Sequence, residues 1–227
     1  MANTGTVTLQ LVAAVANGIC LSQAVAGAQA LTLNGSLVTS GVAIMDVARR
    51  VLIASAGADS AVVFTLTGTD RYGNVQSETI TGVAVATPQF SARDYKTITA
   101  IRSSAATAGN ITIGTNGVGS SDWVGDAPNF HFWALSGGCV SPAGTTYTVE
   151  HTYDDPNRTG TTLVPMPSQF SNVPGGNIPP VVFPNATVAA VSGVAQFDYP
   201  NHPIYAHRLT INSGTGLVVM QSLQAGI

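Results

Sequence analysis

A chain of 227 residues has room for one large β domain or two smaller ones, and its 45% hydrophobic residues are enough for a core. Charged residues make up only 8%, with a net charge of -3 and a pI near 5.7. That balance gives no electrostatic footprint for nucleic acid or an anionic membrane, and it is far from the low-hydrophobicity, high-charge composition of a disordered chain.

In place of charges the chain carries Thr, Ser, Val, Ala and 24 glycines, the composition of short strands joined by tight turns. The start, "MANTGTVT", has no basic region of the kind that opens a secretory signal. In "GTVTLQLVAAV" Val7, Leu9 and Leu11 fall on one face and Thr6, Thr8 and Gln10 on the other, which predicts a strand. Residues 11–33, "LVAAVANGICLSQAVAGAQALTL", are long and weakly apolar, but Asn17, Gly18, Ser22, Gln23, Gly27 and Gln29 argue against a membrane span. They read as a strand, a turn and a small-residue segment, with room for one or two helical turns over 20–30. Asn34-Gly35 between apolar stretches predicts a short hairpin. "RRVLIASAGADSAVVFTLTG" predicts two strands around a turn at 56–59, and further strands are predicted over 97–103 and 110–114. No stretch shows a convincing 3.6-residue period.

"NGVGSSDWVGDAP", beginning at Asn116, is dense in Gly, Ser and Asp and reads as a linker. Strands resume in "NFHFWALSGG", "TTYTVEHTYDD", "VAQFDYP", "IYAHRLTINSG" and "GLVVMQSLQAGI". Residues 164–184 hold Pro165, Pro167, Pro174, Pro179, Pro180 and Pro184, so they cannot form an interior strand. They are expected to run as an ordered surface arm that clamps a neighbouring subunit. The fold class predicted is all-β, with two antiparallel β-sandwich domains, Ig-like or jelly-roll-like, joined by a Gly/Ser-rich linker. The domains expected are 1–118 and 119–227, the second carrying the Pro-rich arm.

Few charges make any group of them a candidate site. In "FTLTGTDRYGNVQSETITG" the group is Asp70, Arg71, Asn74 and Glu78. Turn chemistry accounts for it: Gly73 takes positive φ, Asn74 tolerates it, and Asp70 bonds backbone amides. Glu78 is expected on the following strand, facing solvent, and the spacing is too sparse for a calcium loop. Of His131, His151, His202 and His207, the last two are five apart and miss the H-x-x-x-H spacing of a metal pair. "EHTYDDPNRTG" groups Glu150, Asp154 and Asp155 beside Arg158. Paired carboxylates can serve glycoside hydrolysis or calcium, but Asp-Asp-Pro-Asn is also ordinary turn chemistry. Cys20 and Cys139 lack CxxC spacing and read as buried free thiols, a disulfide being the alternative. N-x-[ST] sequons begin at Asn34, Asn110, Asn157 and Asn185 and matter only in a secreted eukaryotic protein. No nucleophile elbow, phosphate loop or dinucleotide fingerprint is present. The residues therefore predict no catalytic, cofactor or metal site, and the chain reads as non-enzymatic.

The block "LTLNGSLVTSGVAIMDVARRVLIASAGADSAVVFTLTGTDRYGNVQSETITG" followed by "YKTITAIRSSAATAGNITIGT" carries a G-x-D-x-x-G-N-x-x-x-E-T hairpin ahead of Y-K-x-I-T-x-I. It resembles a block of small structural proteins of tailed bacteriophages over residues 31–115, and "TTYTVEHTYDD" through "IYAHRLTINSGTG" resembles an ending of such proteins. These are strand and turn signatures without catalytic content. The resemblance implies a place on the outside of a virion after synthesis in the host cytoplasm. It implies a homo-oligomer, a trimer or hexameric ring, whose other partners are virion proteins: a tail nozzle or adaptor, or the major capsid protein. A short tail fibre or collar component is the first expectation, and a capsid decoration (cement) protein the second. A host-glycan-binding module is the third, which would need an exposed aromatic platform or a carboxylate pair in a groove. Trp123, Trp133, Tyr199 and Tyr205 are candidates to anchor a subunit interface, with core the alternative and the preferred place for Trp133.

Overall fold

The computed structural model describes residues 2–82, 84–85, 87–125, 134–153, 182–185, 187–198 and 204–225. Among them every regular element is a strand, and every pairing is antiparallel. In chain order these are β1 (Ala2–Leu9), β2 (Cys20–Gln23), β3 (Val38–Thr39), β4 (Val42–Ser55), β5 (Val63–Thr69) and β6 (Val75–Thr81). Then come β7 (Gln89–Phe90), β8 (Tyr95–Ser103), β9 (Ile111–Ser120), β10 (Val124–Gly125), β11 (Ala134–Val140) and β12 (Thr146–Thr152). The last are β13 (Phe183–Pro184), β14 (Val194–Asp198), β15 (Ala206–Ser213) and β16 (Val218–Ala225). No described helix is long and apolar enough to cross a membrane.

Two sheets result. The large one runs β13-β12-β15-β9-β4-β8-β5-β6, with β2, β3, β7 and β10 paired off that path. The smaller one runs β1-β16-β11-β14. Alternation in the sequence dictates the local structure: along β5 Phe64, Leu66 and Gly68 point inward while Thr65 and Thr67 are partly exposed. β4 breaks the rule once. Register shifts against β8 and β9 around Arg49 mark a bulge, so that Ala48 and Arg49 are both buried in succession.

There are two hydrophobic cores. The first is built by residues such as Ile19, Val51, Ile53, Phe64, Leu66, Tyr95, Ile98, Ile101, Ile111 and Ile113, all from the large sheet or the loops beside it. The second lies between the sheets, where Leu9, Cys139, Phe197, Val218 and Met220 of the small sheet meet Tyr147, Val149, Leu209 and Ile211 of the large one. β1 opens the chain yet pairs along its whole length with β16, from Ala2↔Ala225 to Leu9↔Val218. The strand from the expected first domain therefore supplies a wall of the second core. Residues 117–120, read from the sequence as linker, are the end of β9, and β10 within the same stretch pairs with β15.

The short hairpin predicted at Asn34-Gly35 lies six residues further on. Ser40 (φ 52°) and Gly41 (φ 79°) form the turn between β3 and β4, both in the left-handed region that a tight hairpin requires. Asn34-Gly35 serves packing: both amides donate to the Ile19 carbonyl, and a Cβ on Gly35 would sit 2.2 Å from the backbone of Gly18. Residues 20–23, where a helical turn had room, form β2. The predicted strand over 97–103 falls within β8, and that over 110–114 matches the start of β9 from Ile111 on. Most of the Pro-rich segment, residues 164–181, lies outside the described residues; its end, Phe183–Pro184, is a terminal strand of the large sheet, where a proline costs no ladder bond.

Candidate functional site

The chain's few charges gather at one place. β9 and β15 join the two halves of the large sheet through only two residue pairs, Ser120↔Thr210 and Gly119↔Ile211. Around that seam stand Arg71, Asp94, Glu150 and Arg208. The Arg208 guanidinium donates from Nε to Glu150 Oε2 at 2.7 Å, and its Nη1 lies 3.6 Å from Asp94 Oδ2. Thr210 Oγ1 donates to the same Glu150 oxygen at 2.8 Å, and Ser120 Oγ donates to Asp94 Oδ2 at 2.6 Å. Trp123 lies flat under Arg208, its ring centroid 4.7 Å from Cζ. Arg71 arrives from the β5–β6 hairpin and donates to the Ser120 carbonyl at 2.9 Å and to Asp122 at 3.3 Å. Burial, and then the neighbouring Arg208 cation, push Arg71 below the usual guanidinium range. Both carboxylates of the seam are thus engaged by Arg208 and by a hydroxyl, and the arrangement holds two pieces of sheet together.

A second group fixes the segment that leads from β1 toward β2. Arg49, 2% exposed, donates to the Val12 carbonyl (2.9 Å), to Asp46 Oδ1 (3.0 Å) and to the Asn116 carbonyl (2.7 Å). Asp46 Oδ2 accepts from Val12 N at 2.8 Å. Between β1 and these two groups lies a groove of about 510 Å³, with Asp46, Arg71, Lys96 and Asp122 in its polar wall.

Of the sequence candidates, Asp70 does what turn chemistry predicts. Its Oδ1 accepts from Tyr72 N (2.8 Å) and Asn74 N (2.9 Å), and its Oδ2 from Asn74 Nδ2 (3.0 Å), around Gly73 at φ 84°. Glu78 departs from expectation. It pairs with Leu66 and shares its inward side of β6, so its carboxylate lies against the segment after β7 and its Oε2 accepts from Ala92 N at 3.1 Å. Burial raises its pKa, opposed by the amides of Ala92 and Arg93 and by the Arg93 and Arg50 charges. Tyr95 beside it is raised also, by burial first and then by the Glu78 charge.

Glu150 belongs to the seam; Asp154, Asp155 and Arg158, its sequence neighbours, lie outside the described residues, as do His131, His202, Trp133 and Tyr199. His151 and His207 sit opposite each other on β12 and β15, His207 fully buried and packed on Phe197. Among the described residues no group of three His, Cys, Asp or Glu side chains could hold a metal ion. Cys20 lies in the first core and Cys139 in the second, both free and buried, their thiols pushed up to about 12 by burial. Of the sequons, Asn185 is buried and its side-chain oxygen accepts from Thr187 N and Val188 N. The sequence reading missed Asp46, Arg49, Arg50, Asp94 and Arg208. The available signal was a charge inside an apolar run, as in "VARRVLI" and "AHRLTI".

Compared with known proteins, the chain matches no family model, no curated protein and no solved structure.

Two predictions follow from the charged groups. Arg208→Ala leaves the largely buried carboxylates of Glu150 and Asp94 at the seam without their shared cation, and should lower the unfolding free energy by about 3 kcal/mol. Arg102→Ala, on the exposed side of β8, should stay within about 0.5 kcal/mol. Urea melts of the two variants check this; equal losses would show that the seam cluster does not hold the sheet. For Glu78 the folded-state pKa lies above its unfolded value of 4.5, so the native state binds that proton more tightly. Its contribution is favourable below the unfolded value and is lost as pH rises through the folded one. Glu78→Gln should therefore gain stability relative to the parent as pH rises from about 4.5 through the raised folded-state value, and parallel curves would show that the carboxylate is solvated in the fold.

Proposed function

We propose that the chain is a non-enzymatic structural component of a tailed-phage virion, a tail-associated short fibre or collar protein that assembles as a symmetric homo-oligomer on the particle's exterior. The observation that carries this reading is the distribution of charge. Asp46, Arg49, Asp59, Arg71, Asp94, Glu150 and Arg208 all bond within the fold. Two successive rows across the outer face of the small sheet hold no charge, and the register brings in Asp198 only in the row beyond them. One row across its four strands is Thr8–Val219–Val140–Val194, and the next is Thr6–Gln221–Gly138–Gln196. Val194 is 77% exposed and Val140 48%. Two adjoining rows of threonine, glutamine, glycine and valine suit close contact between copies, because nothing in them must be desolvated as an ion. Within this reading the two cores are two β-sandwich units divided near residue 118, with residues 2–11 crossing to the second. Its partners are further copies of itself and a tail nozzle or adaptor protein.

Capsid decoration is the alternative within the same class. Quantitative mass spectrometry of purified particles separates the two: roughly six to a few dozen copies place the protein at the tail, where closed rings set the number, and hundreds make it a shell cement. Absence from the particle overturns both.

One observation favours a second reading, a host-glycan-binding surface. Tyr153 and Phe183 pack ring to ring at 5.6 Å, and Tyr205 N donates to Thr152 O beside them. All three rings are 39–50% exposed, and flat exposed rings stack on the apolar faces of sugars. Pull-down on a panel of bacterial surface polysaccharides tests it: retention lost in Tyr153→Ala supports the reading, and no retention of the parent removes it.

A further inference from the structure

The two sheet paths end in four strands, and three of these edges are guarded. β13 is two residues long and contains Pro184, which has no amide proton to offer. β6 turns Glu78 inward and is crossed by the segment at 92–94, through Ala92 N to Glu78 and Gln76 Nε2 to the Asp94 carbonyl at 2.7 Å. β14 is five residues long and ends in a charge, Asp198. β1 has none of these devices. Its eight residues, ANTGTVTL, hold neither charge nor proline, and β16 satisfies one side of it only. Among the described residues nothing outside β16 hydrogen-bonds to it. An edge this long, neutral and regular is a template for another strand, because alternate N–H and C=O groups along it point away from the sheet.

We infer that β1 is a strand-addition site whose occupant is β1 of a second copy, paired antiparallel about a twofold axis through Thr6. The inference deepens the homo-oligomer reading above and rests on it. The strand is self-complementary in that register: Thr4 faces Thr8, Thr6 faces Thr6, and Val7 faces the space left by Gly5. Thr4, Thr6 and Thr8 are the exposed residues of β1, so like face meets like face and all three threonines form cross-strand pairs. Val7 and Leu9 of each copy remain over the second core. Neutrality supplies the electrostatic argument for a second copy, since neither strand brings a charge that the other must oppose. The groove of about 510 Å³ beside Thr6–Leu9 leaves room for the incoming side chains. The small sheets of two copies then fuse into one of eight strands, ordered β14-β11-β16-β1-β1-β16-β11-β14, and the assembly contains an even number of chains.

The test uses the full chain and its mass in solution by light scattering. The parent should run at an even multiple of 23.1 kDa. Thr4→Lys with Thr8→Lys sets two lysine pairs across the twofold and should weaken assembly about tenfold or more, whereas Thr4→Lys with Thr8→Glu sets opposite charges in the same places and should keep it. Thr6→Cys should give a disulfide-linked pair on mild oxidation, against a low background because Cys20 and Cys139 are buried. A trimer, or an assembly indifferent to the lysine pair, overturns the β1 contact and leaves the homo-oligomer reading standing. A monomeric parent overturns both.

Discussion

A guanidinium held between two carboxylates at a seam two residue pairs wide is the interaction on which this architecture depends. Between β9 and β15 the ladder has only the pairs Ser120↔Thr210 and Gly119↔Ile211, with Ser121 N donating to the Leu209 carbonyl beside them. Arg208 adds what the ladder lacks there, reaching Glu150 on its own side and Asp94 on the other, with Trp123 under it and the Ser120 and Thr210 hydroxyls donating to the same two carboxylate oxygens. Such a cluster is strong only as a set. Each charge would be costly alone in that environment, and each is stabilised by a partner that comes from a different strand.

The same logic places other charges of the chain. Arg49 has no exposed surface to speak of and is held by two carbonyls and Asp46, which fixes the chain where it leaves β1 and enters the first core. Asp59 joins the turn after β4 to the turn before β9, accepting from Ala108 N at 2.6 Å and from the Ser55 hydroxyl. In a protein with so few ionisable groups, using several of them inside leaves fewer charges for its surfaces.

How much of this was legible in the sequence follows from the range of each interaction. Alternation of Thr with Val, Ile and Leu gave the strands, and the Asp70–Asn74 turn could be read down to its hydrogen bonds, because the information lies within five residues. Asn34-Gly35 misled because the same dipeptide that favours a tight turn also permits close approach of two backbones, and only the fold decides which is used. Glu78 was placed in solvent by the rule that charges face out, yet it occupies the inward side of an edge strand, where a segment from beyond β7 offers it amides. The seam and the β1–β16 pairing were out of reach for one reason. Their partners lie tens to hundreds of residues apart, and nothing in local pattern specifies a distant match.

The pairing of β1 with β16 also says something about time. A strand near one end of the chain is completed by the strand at the other, so the second core has a missing wall until both have been brought together. The first core draws on residues 19–113 and needs no such meeting. Loop closure over so many residues is entropically slow, and topologies dominated by such contacts fold on the slow side of the range for small domains. One core is thus complete within residues 19–113, while the other depends on the meeting of β1 with β16.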